Sequence, residues 1–139
     1  MKTAALAITI PCYNEYSRLP EGEFRAFLQA RKDVLLCLVD DASTDRTIDR
    51  MEALQKSFPE QIRILRHPRN QGKAEAVRSG VLYCHQEQLA PHLAYLDADL
   101  ATSLEECHSL LACLENKEFV FASRILRVGS VVERRFTRF

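Results

Sequence analysis

The chain has 139 residues, 47% of them hydrophobic, enough for one domain with a buried core. Its 19 basic and 19 acidic residues cancel, which excludes a general nucleic-acid binder, whose phosphate contacts demand a basic surplus. The charge is unevenly spread: residues 124–139 hold five arginines against one glutamate, +4, which leaves −4 for residues 1–123.

Taken in order, the hydrophobic pattern alternates strand and helix. Residues 5–10 form an apolar, partly β-branched run that Pro11 is expected to stop, followed by the polar loop Cys12-Tyr13-Asn14-Glu15. Phe24, Phe27, Leu28 and Arg31 fall at helical spacing, which predicts an amphipathic helix over residues 21–31. Residues 34–39 read as a buried strand ending in Asp40-Asp41-Ala42-Ser43-Thr44-Asp45, with Ser43 or Thr44 expected to cap the next helix. That helix carries Ile48, Met51, Leu54 and Phe58 on one side, and Pro59 closes it. A third strand is predicted at residues 62–65. The loop His67-Pro68-Arg69-Asn70-Gln71-Gly72-Lys73 then leads to a helix whose Ala74, Val77, Val81 and Cys84 share a face. Residues 93–99 read as a buried, central strand running into Asp97-Ala98-Asp99. Beyond it, Ser103-x-x-Glu106 is a capping box for a helix using Leu104, Cys107, Leu111 and Leu114. Residues 119–122 complete a fifth strand.

Strands alternating with helices of this length imply parallel crossovers, hence an open α/β sheet with helices on both faces. Such sheets bind ligands beyond the carboxyl ends of their strands, where the polar clusters fall here. Side chains two apart on an extended segment point the same way, so Asp97 and Asp99 can face one hard cation, Mg²⁺ or Mn²⁺. Asp41 at a strand end can accept from a base edge or from ribose hydroxyls, and Lys73 beside Gly72 can bring a positive charge near phosphate or ribose. Plain capping turns explain each cluster taken singly, and that alternative stays open at this stage.

Other chemistries lack their motifs. No G-x-G-x-x-G follows the first strand, no G-x-x-x-x-G-K-[ST] occurs, and neither Ser43 nor Ser103 sits in G-x-S-x-G. The five cysteines contain no C-x-x-C pair, and His67, His85, His92 and His108 show no zinc-ligand spacing with them; they read as reduced core residues. The apolar run near the N-terminus lacks a cleavage site, and no stretch approaches the ~20 apolar residues of a membrane span. The expected location is cytoplasmic, peripheral at the inner face of a membrane.

Ile10-Pro11-Cys12-Tyr13-Asn14-Glu15, Val39-Asp40-Asp41-Ala42-Ser43-Thr44-Asp45, Asn70-Gln71-Gly72-Lys73-Ala74 and Leu96-Asp97-Ala98-Asp99-Leu100, in that order, resemble family-2 inverting glycosyltransferases of the GT-A fold. The likeness is closer to the branch that glucosylates or mannosylates dolichyl or polyprenyl phosphate. The resemblance implies that Pro11, Tyr13, Glu15, Val39 and Asp41 line a base and ribose pocket, with Lys73 in the loop near the nucleotide. It implies that Asp97 contacts ribose and that Asp97 and Asp99 hold the metal bridging the diphosphate. Arg124, in Ala122-Ser123-Arg124, matches an arginine near the acceptor or donor phosphates, with Ala122 standing where the family has glycine.

The implied reaction is transfer of sugar from a nucleotide donor, UDP-glucose first and GDP-mannose second, with inversion, onto an acceptor such as a polyprenyl phosphate. Family members continue well past this length. Residues 1–123 therefore read as the nucleotide-sugar-binding domain, and residues 124–139 as a basic amphipathic segment leading into a missing half. No catalytic base is assigned. In that segment Val128, Val132, Phe136 and Phe139 share one side and Arg134, Arg135 and Arg138 the other, which suits either an anionic lipid surface or a missing protein partner, and self-association through the uncovered face. Two other readings stay open: a sugar-1-phosphate nucleotidyltransferase, although Pro11-Cys12-Tyr13-Asn14 stands where those have a glycine-rich basic loop, and a non-catalytic nucleotide-binding module.

Overall fold

In the computed structural model four strands make one parallel sheet, and the described residues are 3–114 and 118–120. Strand β1 (Leu6–Cys12) is followed by helix α1 (Glu21–Ala30), β2 (Val34–Asp40), α2 (Thr47–Ser57), β3 (Ile62–Arg66), α3 (Lys73–Gln86), β4 (His92–Tyr95), α4 (Leu104–Ser109) and α5 (Leu111–Leu114). The sheet order is β3-β2-β1-β4, so the chain steps outward from β1 to β3 and then crosses back to the other side of β1.

That reversal decides which face each helix covers, because right-handed crossovers running in opposite directions land on opposite faces. Leu6, Ile8, Ile10, Leu36 and Leu38 pack with Phe24, Leu28, Met51, Leu54 and Leu104, the inward residues of α1, α2 and α4. The alternate residues Ala7, Leu35, Cys37 and Val39 pack with Ala76 and Cys84 of α3. Both faces of β1 and β2 are covered, which explains why they are almost wholly apolar, with Thr9 and the terminal Asp40 the exceptions. Each fully buried Ile, Leu or Phe here contributes about 1.5–3 kcal/mol.

Several expectations are corrected. Strand β1 does not stop at Pro11 but passes through it to Cys12, with Pro11 in register with Val39. Alternate residues of a strand bond to the same neighbour, and the Thr9 carbonyl accepts from the Leu96 N–H at 3.0 Å. Pro11 therefore faces the β4 side beyond Tyr95, where β4 has ended, and its missing N–H costs no ladder bond. Strand β4 is outermost among the described strands rather than central, and its residues are half-buried or exposed.

On α3 the inward residues are Ala76, Gly80 and Cys84, not the predicted Ala74, Val77 and Val81 with Cys84. Room decides here: a Cβ on Gly80 would stand 2.3 Å from Thr9 Cγ2, so the helix crosses β1 too closely for valine. Ser103 and Glu106 form the expected capping box, at 3.0 and 3.1 Å, but the helix they open breaks at Leu110 into α4 and α5. Of the expected fifth strand, Phe119 and Val120 are not in a strand, and residues 121–122 lie outside the described residues, as do Arg124 and the whole basic segment. No helix among the described residues is long and apolar enough to cross a membrane.

Candidate functional site

Beyond the carboxyl ends of β1, β2 and β4 lies a cleft of about 380 Å³ whose walls include Pro11, Tyr13, Glu15, Arg18, Asp41, Asn70, Lys73, Asp97 and Asp99. This is the position where the crossover reversal splits the loops apart. Of the residues singled out from sequence, Pro11, Tyr13, Glu15, Asp41, Lys73, Asp97 and Asp99 are brought together here. Val39 is not: it is fully buried beneath α3, because it belongs to the inward-facing alternation of β2.

The first two loops are stitched to each other. Asn14, at φ 51, donates its backbone N–H to Ser43 Oγ at 3.0 Å, and its Oδ1 accepts from the N–H of Thr44 at 2.8 Å. The N–H of Glu15 reaches Thr47 Oγ1 at 2.9 Å and that of Tyr16 reaches Asp45 Oδ2 at 3.2 Å. Ser43 and Thr44 thus join the loops rather than cap α2. The N-cap position is Arg46, without a side-chain cap, and Asp45 just before it accepts from the Thr47 N–H at 2.9 Å. Tyr13 stands 43% exposed on the cleft wall, an aromatic face open to a flat ligand.

Asp41 is only 4% exposed and serves as the hub of the third loop. Its Oδ1 accepts from the Gln71 N–H at 2.8 Å and meets Nδ1 of His67 at 2.8 Å; its Oδ2 accepts from the Gly72 N–H at 2.9 Å. Gly72 enters α3 at φ 94, ψ 160, a conformation that only glycine adopts without strain. Burial pushes the Asp41 carboxyl up, but the Gln71 N–H, His67 and the Gly72 N–H together outweigh it and hold the group below the usual aspartate range. Cys12 also lines the cleft. Burial, with the Glu15 and Asp40 carboxylates, pushes its thiol up, which disfavours the thiolate.

The other end of the cleft is more open. Asp97 follows β4 and pairs with the Lys73 ammonium, their side chains 38% and 61% exposed. Asp99 lies in the turn beyond, where its Oδ1 accepts from the Ala101 N–H at 3.0 Å, and Leu100 follows at φ 53. The two aspartates share the cleft across a turn, not on an extended strand as expected. The donor set fits a hard divalent cation: two carboxylates line the cleft, and one already holds a cationic group, the ammonium of Lys73. Among the described residues no group of three or more His, Cys, Asp or Glu is placed to hold a metal ion by itself.

Residues 7–139 match the family model for Glycosyl transferase family 2. The chain belongs to that family. The dolichyl-phosphate beta-glucosyltransferase of Mus musculus is 32% identical over 117 residues, 78% of this chain and 35% of that protein. This family 2 chain spans less than half the length of the curated relatives it matches. TarS of S. aureus, solved in complex with UDP-GlcNAc, superposes with a TM-score of 0.61 at 16% identity over 81% of this chain and 31% of that one. Mannosyltransferase PcManGT from Pyrobaculum calidifontis, solved with GDP-Man and Mn²⁺, gives 0.55 at 20% identity over 70% and 28%. At these identities the likeness is one of fold: the parallel sheet with its helices is that of the GT-A glycosyltransferases.

Proposed function

We propose that the chain is the donor-binding part of an inverting, metal-dependent family 2 glycosyltransferase that uses UDP-glucose and passes the sugar to a polyprenyl phosphate at a membrane surface. The observation that carries this reading is the polarity of the cleft, with an aromatic face and a caged carboxylate at one end and a carboxylate pair with a lysine at the other. A nucleotide diphosphate has the matching order of groups. Tyr13 stacks on the base, Asp41 accepts from its edge, and Pro11 and Glu15 border the ribose together with Asp97. Asp97 and Asp99 would hold Mg²⁺ or Mn²⁺, which when bound neutralises charge on the diphosphate.

The chain's own residues then act on the leaving group. Lys73, released from Asp97, places its ammonium on a phosphate oxygen, and Arg124 is proposed to meet the phosphates from the segment after residue 123. These charges favour departure of the diphosphate while an acceptor oxygen attacks the anomeric carbon from the opposite side. A lipid phosphate is already ionised and needs no strong general base. The dolichyl-phosphate specificity of the mouse relative supports the acceptor, and the Mn²⁺ in the Pyrobaculum complex supports the metal.

The test is to offer labelled UDP-glucose or GDP-mannose with polyprenyl phosphate and Mn²⁺ and to extract the lipid. Glucosylated lipid from UDP-glucose, lost in Asp97→Ala/Asp99→Ala, is the expected result. Donor retained on the protein with no transfer would mark a binding module instead.

A further inference from the structure

The surroundings of Asp41 bear on which base the cleft takes; the inference rests on the reading of Asp41 as a base-facing carboxylate. An ionised carboxylate has about four acceptor positions. Three are filled from within the chain: two on Oδ1, by the Gln71 N–H and His67 Nδ1, and one on Oδ2, by the Gly72 N–H. His67 is held from its far side as well, with Nε2 2.9 Å from Ser79 Oγ on α3. When Nδ1 carries the proton toward Asp41, Nε2 accepts from the Ser79 hydroxyl, so both ring nitrogens are satisfied in the neutral imidazole. The side chains of His67 and Asp41 are 9% and 5% exposed, and neither can swing away without abandoning a buried partner.

One acceptor position on Oδ2 is left. Guanine presents two adjacent donors on its pairing edge, N1–H and the 2-amino group, and a carboxylate matches them only with both oxygens free. Uracil presents a single N3–H between two carbonyls. We propose that His67, held by Ser79, is a specificity-determining residue of the cleft: by occupying Oδ1 of Asp41 it leaves a single acceptor, which suits the uracil imide and rejects guanine. Its action is through Asp41, so it is a positioning residue and touches no reacting atom.

Calorimetric titration of UDP and GDP in Mn²⁺ tests this on the full chain. Wild type is expected to bind UDP at least about tenfold more tightly than GDP, the scale of one donor left unmet in a site built for another ligand. His67→Leu frees one acceptor position on Oδ1, beside the one the Gln71 N–H keeps, so that each oxygen can take a donor from the base, and it narrows the UDP:GDP ratio about tenfold. His67→Asn restores an N–H toward Oδ1 and keeps the ratio. Ser79→Ala, which leaves the core intact, narrows it about threefold and serves if His67→Leu fails to fold. Equal weakening of both nucleotides, with the ratio unchanged in His67→Leu and Ser79→Ala, would overturn the proposal, as would a wild type that binds GDP as tightly as UDP. The underlying reading fails separately, if Asp41→Asn binds both nucleotides as wild type does.

Discussion

At the Asp41 end of the cleft the carboxylate is gripped from inside the fold, whereas at the Asp97 end the carboxylates stand beyond a short outer strand, Asp97 just after it and Asp99 in the turn that follows. Asp41 is buried and takes hydrogen bonds from Gln71, Gly72 and His67; Asp97 and Lys73 are partly solvated and hold mainly each other. On the proposed reading the two ends do different work. A caged carboxylate recognises a fixed shape without reorganising, which is what reading a base requires. A solvated ion pair is easily opened, and a cation with a diphosphate can replace it with stronger partners.

Removing the hub should break the contrast most. Asp41→Ala strands two backbone N–H groups and the His67 ring, and it is expected to cost about 2–4 kcal/mol in urea unfolding. A loss below about 0.5 kcal/mol would mean that the third loop does not depend on Asp41. Next is Gly72→Ala, expected to cost about 1–3 kcal/mol because φ 94 strains any side chain, and because the Gly72 N–H is then drawn off Oδ2. Ser103→Ala, remote from the cleft, removes a capping box and should cost about 1 kcal/mol, a reference for an ordinary local device. Lys73→Met at the open end should change stability by less than about 0.5 kcal/mol while weakening nucleotide binding, because an exposed pair contributes little to folding.

Acid sharpens the same comparison. The folded Asp41 carboxyl lies below its unfolded value, so the stability it contributes is complete above the ordinary aspartate pKa of about 3.9 and is lost as pH falls through the folded pKa. The stability difference between wild type and Asp41→Asn should therefore be flat above about pH 5 and shrink only in stronger acid. A difference that changes between pH 6 and pH 8 would contradict this.

The buried half of this architecture is legible in the sequence, because β1, β2 and the inward faces of α1 and α2 announce themselves by apolar period. The capping box at Ser103 is equally legible, since it is a local pattern with a local cause. What escapes is set by tertiary contact. The inward face of α3 is chosen by the space above Thr9, so Gly80 outranks Val77 and Val81, against any hydrophobicity scale. Pro11 continues β1 because β4 is short, which no reading of β1 alone reveals.

In the cleft, charged residues after strands were visible from the sequence, but the residues that hold them were not. Asn14, Ser43, His67, Gln71 and Ser79 act across 12 to 31 positions of sequence separation or through backbone N–H groups, and their side chains read as ordinary loop and helix-surface polarity. The one available hint for His67 is its place between a strand end and a glycine-led helix, next to an aspartate already suspected of a role. Val39 shows the converse, a residue assigned to the pocket by resemblance that the strand alternation turns inward.

The central claim is that this cleft holds a nucleotide diphosphate through a divalent cation shared with Asp97 and Asp99. Titrating UDP into the chain by calorimetry, with Mn²⁺ and then with chelator, for wild type and Asp97→Ala/Asp99→Ala, tests it most directly. The account predicts binding that needs the metal and disappears in the double variant. UDP binding of equal strength with chelator, or retained in the double variant, would contradict it.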